Sequence, residues 1–252
     1  MEPKTVFITG ATAGIGKATA ELLAQKGYRL ILTGRRADRL HHLKEVLGRL
    51  TDVWTLNFDV RDRYAIPDEL RSIPESFLPI DVLINNAGNA YGLAPIHEGD
   101  HEDWDNMIDI NVKGLLNVTR QVVPKMVEEK RGHVINIASL AGRETYPNGN
   151  VYCASKHAVV ALTEGMRKDL NPYGIKVTSI DPGLVETEFS EVRFHGDMEK
   201  AQKVYEGYSP LKPEDIAETI EFVLSRPSHV NIADMLVLCT DQASSTQVRK
   251  EL

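Results

Sequence analysis

The sequence predicts an α/β protein built as a single-domain Rossmann fold: a doubly wound parallel sheet of about seven strands with helices on both faces. Three observations carry this. Short β-branched apolar runs alternate with amphipathic stretches of helical period along the whole chain. The runs are apolar throughout, not at every second residue, as expected of strands buried on both faces. The first run passes straight into a glycine-rich turn, "TGATAGIG", that opens a helical stretch.

In chain order, "TVFIT" from Thr5 is the first strand, and "KATAELLAQKG" is a helix closed by Gly27. "RLILTG" from Arg29, "VWTLNFDV" from Val53 and "DVLINNAG" from Asp81 are the next three strands, and "ADRLHHLKEVLGRL" is the helix after the second. The long amphipathic run 101–129 predicts one helix of several turns. "HVINIAS" from His133 and "IKVTSIDPG" from Ile175 are strands flanking the helix "VYCASKHAVVALTEGMRKDL". A less regular segment, 184–209, precedes a helix with Pro213 in its first turn and a last strand, "DMLVLCT" from Asp234. No linker, repeat or low-complexity tract interrupts the pattern, so 1–252 is expected to be one domain.

Composition narrows the function classes. A chain of 252 residues with 42% hydrophobic residues can bury one large core. The net charge of −7 argues against a nucleic-acid partner, which would require a basic stripe. Two cysteines, Cys153 and Cys239, suit a reducing compartment and no disulfide framework. The eight histidines are scattered, and no metal site is expected. The N-terminus runs directly into the first strand, leaving no room for a secretory leader, and no apolar run approaches the ~18 residues of a membrane span. The terminal "RKEL" resembles a retention signal, but carries no weight without an entry signal. A cytoplasmic protein with a small-molecule substrate and no membrane partner is the expectation.

The glycine turn has the spacing G-x-x-x-G-x-G. Gly10 permits the tight turn, Gly14 lets a pyrophosphate approach backbone N–H groups, including those of Thr12, Ala13 and Ile15, and Gly16 lets the helix pack against the sheet. The alternative is an ordinary βα turn. At the end of the second strand, where an acidic residue would bind a free ribose 2′-hydroxyl, stand Gly34, Arg35 and Arg36. Two guanidiniums suit a 2′-phosphate, which points to NADP. The alternative is a solvated charge pair at the start of the next helix.

Beyond these come Asp59 and Val60 after the third strand, "NNAG" (Asn85 to Gly88) after the fourth, and Asn111 with Val112 in the long helix. Ser139 follows the fifth strand, then come "YCASK" and "DPG....T" from Asp181 to Thr187. In this order the motifs resemble those of the short-chain dehydrogenase/reductase family over essentially the whole chain. The resemblance implies that Asp59 and Val60 contact adenine, and that Asn86, Ala87 and Gly88 line the adenosine side. It implies that Pro182, Gly183, Val185 and Thr187 border the nicotinamide, and that Ser139, Tyr152, Lys156 and Asn111 form the catalytic set, with Tyr152 and Lys156 also touching cofactor.

The residues support that chemistry on their own terms. Hydride transfer to a carbonyl needs a proton at its oxygen. A phenol near pKa ~10 is a poor base at neutral pH, and a nearby cation lowers that value. Spacing i, i+4 puts Lys156 on the helix face of Tyr152. Ser139 can hold the substrate oxygen, and Asn111 can fix a water linking Lys156 to solvent. The alternatives are a strand-end cap for Ser139 and a backbone-bonding helix residue for Asn111. Cys153 reads as buried filler, and His157 has no assigned role.

The last third is similar to the subgroup of NADP-dependent 3-hydroxy acid dehydrogenases, also described as serine 3-dehydrogenases. The resemblance implies a homotetramer acting on short 3-hydroxy acids such as L-serine, L-allo-threonine or 3-hydroxyisobutyrate, or on malonic semialdehyde. Some members carry an extra glycine where Glu186 here meets Thr187 directly. A substrate carboxylate needs a cation, for which Arg143, Arg193 and His195 are the candidates beside Ser139. Segment 184–209, with Phe189, Phe194 and Tyr205, is the expected substrate loop or lid. Other carbonyl substrates (a 3-oxoacyl thioester, a sugar, a polycyclic alcohol) and a cofactor-binding sensor without turnover are the alternatives.

Overall fold

The computed structural model describes residues 3–250, so Glu251 and Leu252 of the terminal "RKEL" lie outside the described residues. Seven strands form one parallel sheet: β1 (Thr5–Ile8), β2 (Arg29–Gly34), β3 (Val53–Asn57), β4 (Val82–Asn85), β5 (Gly132–Ile137), β6 (Ile175–Pro182) and β7 (Asp234–Val237). Their spatial order is β3-β2-β1-β4-β5-β6-β7. The order reverses between β1 and β4, so the helices leaving those strands depart to opposite faces and open a crevice at the carboxyl ends. Register is continuous across that point, with Val6 opposite Leu30 on one side and Val82 on the other.

The apolar strand runs are explained by two cores. On one face Ile8, Leu32 and Ile84 pack with Leu23 of α1 (Gly14–Gln25), Leu43 of α2 (Ala37–Leu47) and Ile220 of α9 (Pro213–Leu224). On the other, Phe7, Ile31 and Leu83 pack with Ile66 of α3 (Ala65–Arg71) and with Val118 and Met126 of α5 (Leu115–Glu129). Each such fully buried aliphatic or aromatic side chain contributes about 1.5–3 kcal/mol. Several polar side chains on the strands are paired, although Asn85 Oδ1 and Thr33 Oγ1 have no partner. Asn85 Nδ2 donates to Thr119 Oγ1 at 3.0 Å and Asn136 Oδ1 at 2.9 Å, and the buried imidazole of His133 meets Thr178 Oγ1 at 2.8 Å.

The structure differs from the sequence expectation in three places. Helix α3 arises from a stretch whose periodicity is too short to read. The expected helix 101–129 is two helices, α4 (His101–Ile108) and α5, joined by a π-helical turn over Asp109–Gly114. Gly114 packs its bare α-carbon against Val60, and the widened turn aims Asn111 inward. Segment 184–209 contains two short helices, α7 (Phe189–Arg193) and α8 (Met198–Lys203). It is tied at its base by a bridge between Val185 and Leu211. The long helix α6 (Asn150–Leu170) spans nearly the predicted residues. Among the described residues, no helix is long and apolar enough to cross a membrane.

Candidate active site

The carboxyl ends of β1, β4, β5 and β6 open into a cleft of about 550 Å³. Its floor is the glycine turn. Gly10 has φ +66°, and a Cβ there would lie 2.9 Å from the Ala87 α-carbon. A Cβ on Gly16 would strike the Gly10 carbonyl and the Asn86 amide, which itself donates to Thr9 O at 2.9 Å and Gly10 O at 3.1 Å. Helix α1 starts at Gly14 with no side-chain cap, so its first N–H groups remain available to an anion. Thr12, Ala13, Gly14 and Ile15 line this end of the cleft, and Gly16 lies behind them.

Arg35 and Arg36 stand at the mouth, where β2 ends. Arg35 Nη1 is 3.7 Å from Asp59 Oδ2, and Arg36 donates to Thr12 Oγ1 from Nε and Nη2 at 3.2 and 3.0 Å. Asp59 is paired more closely with Arg61, at 2.7 Å, and Arg61 and Arg35 together hold its carboxyl below the usual range against the opposing effect of burial. A turn with glycine at its close approaches, an uncapped helix start and two half-exposed guanidiniums fit a long, doubly anionic ligand such as a dinucleotide.

Farther in, Ser139, Tyr152 and Lys156 line the same cleft. Ser139 caps a 3-10 turn, its Oγ accepting from Ala141 N at 3.1 Å, and lies 3.4 Å from the Pro182 carbonyl to which it donates. Lys156 Nζ donates to Ile137 O at 2.9 Å. A Cβ on Gly88 would lie 3.5 Å from Lys156 Nζ and 3.0 Å from Asn111 Oδ1, so both side chains face Gly88. Both N–H groups of the Asn111 amide are used: Nδ2 donates to Asn89 O at 2.8 Å and Ser155 Oγ at 2.9 Å, while Oδ1 accepts from Asn89 N at 2.8 Å and keeps a second lone pair.

Burial governs the titrating groups. It raises the Tyr152 phenol well above its ordinary value; Tyr146 adds to the rise, while Arg193 and the Ser139 hydroxyl oppose it. It depresses Lys156 to about 8, with the Asp181 carboxylate resisting. The cation that lowers Tyr152 is Arg193, not Lys156 as the spacing led one to expect, and desolvation outweighs it.

The candidate cations separate. Arg143 does not line the cleft, because its guanidinium is engaged by the buried Asp181 and reaches toward Asp234. His195 lies outside the cleft lining, 3.2 Å from Asp103 Oδ2. Arg193 lies inside, its Cζ 5.0 Å from the Tyr152 ring centroid, 5.5 Å from Phe189 and 5.7 Å from Tyr146. It donates to the Tyr146 hydroxyl, and its buried Nε has no partner. Phe189, Phe194 and Tyr205 also line the cleft, with Tyr205 OH held by Ser190 and the Val185 carbonyl. Pro182, Gly183, Val185 and Thr187 border it beside Gln242, whose Oε1 accepts from Leu184 N at 2.9 Å. Gln242, Tyr146 and Asn89 carry no motif, and nothing in the sequence near them announces a place in the cleft. His97 and His101 are four residues apart, but the first meets Glu98 and the second stacks edge-on against Trp104. Among the described residues, no cluster of three metal-ligating side chains occurs.

The family model for short chain dehydrogenases matches residues 4–197. The chain belongs to the short chain dehydrogenase family. It is 50% identical over 228 residues to the NADP-dependent 3-hydroxy acid dehydrogenase YdfG of Salmonella typhi, covering 90% of this chain and 91% of that one. It is 42% identical over 248 residues to a serine 3-dehydrogenase of Rhizobium radiobacter, covering 98% of each. The closed form of a serine dehydrogenase complexed with NADP+ superposes with a TM-score of 0.92 at 44% identity, over 98% of this chain and all of the other. Membership of this short chain dehydrogenase family makes the protein an oxidoreductase.

A buried lysine whose charge is disfavoured costs stability. Its folded pKa of about 8 lies below the ordinary 10.5, so between those values the unfolded chain binds more protons, and stability rises with pH. The penalty is complete below pH 8. Lys156→Met should therefore gain most over the parent below pH 8, and the gain should shrink toward pH 10.5; thermal melts across that range check it.

Proposed function

We propose that this protein is an NADP(H)-dependent oxidoreductase of small 3-hydroxy acids, with Tyr152 as the general acid and base. The observation that carries the substrate class is Arg193. Its guanidinium sits among three aromatic rings, 5.0 Å from the ring of Tyr152, with a buried N–H that has no partner. An unpaired donor in such a place costs free energy, which an anionic acceptor returns. A 3-hydroxy acid has its hydroxyl carbon two bonds from the carboxylate carbon. It is short enough to offer the oxygen to Tyr152 and the carboxylate to Arg193. The names of the relatives, a 3-hydroxy acid dehydrogenase and serine dehydrogenases, agree with this reading.

NADP(H), when bound, supplies or accepts the hydride. The chain does the rest. N–H groups around Gly14 and the start of α1 would hold the pyrophosphate, and Arg35 and Arg36 the 2′-phosphate. Asp59, Val60 and Asn86 to Gly88 would border the adenosine side, and Pro182, Gly183, Val185 and Thr187 the nicotinamide side. Ser139 would donate to the substrate oxygen. In reduction Tyr152 would give that oxygen a proton, and burial suits this role by keeping the phenol protonated until contact. In oxidation it would take the proton back, with Arg193 favouring the phenolate. Lys156 would hold the cofactor ribose. Asn111, whose Oδ1 lies with Lys156 Nζ beside Gly88, would fix a water that links Lys156 to solvent.

The test is a substrate panel with L-serine, 3-hydroxyisobutyrate and a bulky alcohol. L-serine and 3-hydroxyisobutyrate should be oxidised and the alcohol should not; preferred turnover of the alcohol would replace the acid reading. Arg193→Leu should raise KM for the acids by about 10- to 100-fold with a smaller change in kcat. Tyr152→Phe should retain cofactor and lose turnover, and an active phenylalanine variant would remove Tyr152 from the mechanism. Arg35→Asp should weaken NADP binding by at least about tenfold and leave NAD nearly unchanged; equal loss of both cofactors would defeat the phosphate assignment. Exposed Phe222 on α9 and Leu236 on the edge strand β7 offer apolar surface to further copies, which supports a homotetramer. Sedimentation should give four times the chain mass, and a monomer throughout would end that proposal.

A further inference from the structure

In one ion-pair cluster at the cleft, Glu188 and Arg39 have no part in the mechanism above. The carboxylate of Glu188 takes two guanidiniums at once, Arg36 Nη1 at 2.7 Å on Oε2 and Arg39 Nη1 at 2.6 Å on Oε1. Both arginines stand at the start of α2, some 150 positions earlier in the chain. Arg39 also approaches the Thr12 carbonyl at 3.5 Å, so the cluster rests against the glycine turn. Thr187, the preceding residue, crosses that turn: a Cβ at Gly14 would lie 3.2 Å from Thr187 Cγ2. The residue after Glu188 begins α7, whose first residue, Phe189, packs edge-on against the Tyr152 ring at 5.6 Å and whose last, Arg193, faces the same ring. One short helix thus connects the arginine cluster to the acid–base residue.

The charges fit a division of labour. Arg35, Arg36, Arg39 and Arg61 here face two carboxylates, Glu188 and Asp59, which leaves two positive charges to offset a phosphate dianion. Arg39 faces Glu188 without lining the cleft, whereas Arg35 and Arg36 line it. A carboxylate this close to a phosphate site would repel the ligand if it were unpaired, and Arg39 supplies its partner.

We propose that Glu188 and Arg39 are positioning residues that fasten the substrate segment across the bound cofactor, so that Glu188 sets how long the cofactor stays and how firmly α7 presents Arg193 to the substrate. Entry or release of a dinucleotide on the glycine turn requires Thr187 to lift, and lifting it breaks both Glu188 ion pairs. The proposal rests on the cofactor site described above, but the fastening crosses the pyrophosphate turn, which NADPH and NADH would share.

The experiment is stopped-flow displacement of NADPH, and in parallel NADH, from the full-length protein and from Glu188→Gln, Arg39→Gln, the double variant and Glu188→Asp. Glu188→Gln should speed release about fivefold, the scale of a half-exposed ion-pair network, and Arg39→Gln, which leaves the Arg36 pair, by less. The double variant should be no faster than Glu188→Gln, because Glu188→Gln already removes both ion pairs. Glu188→Asp should restore part of the retention, and KM for the acid should rise more than kcat falls while melting temperatures stay level. Unchanged release in Glu188→Gln overturns the proposal. Slower release also overturns it, since it would mean that Glu188 only competes with the phosphate for Arg36. Indifference of the parent protein to NADPH over NADH would defeat the phosphate reading, while the NADH release rates would still decide the fastening.

Discussion

At the carboxyl ends of β1 and β4 the main chains of Gly10 and Ala87 approach so closely that no side chain fits between them. The sheet order reverses at this point, and the helices that follow lie on opposite faces. The Asn86 amide bridges the gap by donating to Thr9 and Gly10 carbonyls, and the Thr9 hydroxyl accepts from the N–H groups of Asn86 and Ala87 at 3.0 Å. That contact holds the start of α1 beside the end of β4. The cleft, its uncapped helix start and the approach of Lys156 and Asn111 to Gly88 all follow from it.

The cleft takes its chemical character from burial set against a few fixed charges. Desolvation pushes Tyr152 up and Lys156 down, so both drift toward their neutral forms. The nearby carboxylate Asp181 is fully buried yet kept in check by Ser179 and Arg143. Arg143 is thereby used to brace the end of β6, whereas Arg193 keeps a buried donor without a partner at the cleft. Two arginines of similar promise in the sequence are separated by what lies around them.

Segment 184–209 is held by Val185 against Leu211 at its base, by Gln242 against Leu184, by Glu188 against α2, by the Arg193 carbonyl against Gly92 N and by His195 against Asp103. Between them it packs Phe189 on Tyr152 and ties Tyr205 to Val185 and Ser190. These contacts are few beside those of the two sheet cores. Small free energies can therefore make or break them without disturbing the fold.

The sequence by itself determined what depends on local pattern. The strands are legible because parallel strands covered on both faces need unbroken apolar runs. The turn at Gly10 to Gly16 and the Tyr152–Lys156 spacing are legible because a tight turn and a helix face are set by neighbours a few residues apart. Only the tertiary structure decided the π-helical turn at Asn111, the diversion of Arg143 to Asp181 and the meeting of Glu188 with Arg36 and Arg39. Helical periodicity is blind to one extra residue in a turn when both flanking helices are amphipathic. The partner of a charged side chain is chosen by distance and desolvation after folding, across separations of 38 residues for Arg143 and 152 for Arg36, which no local pattern encodes.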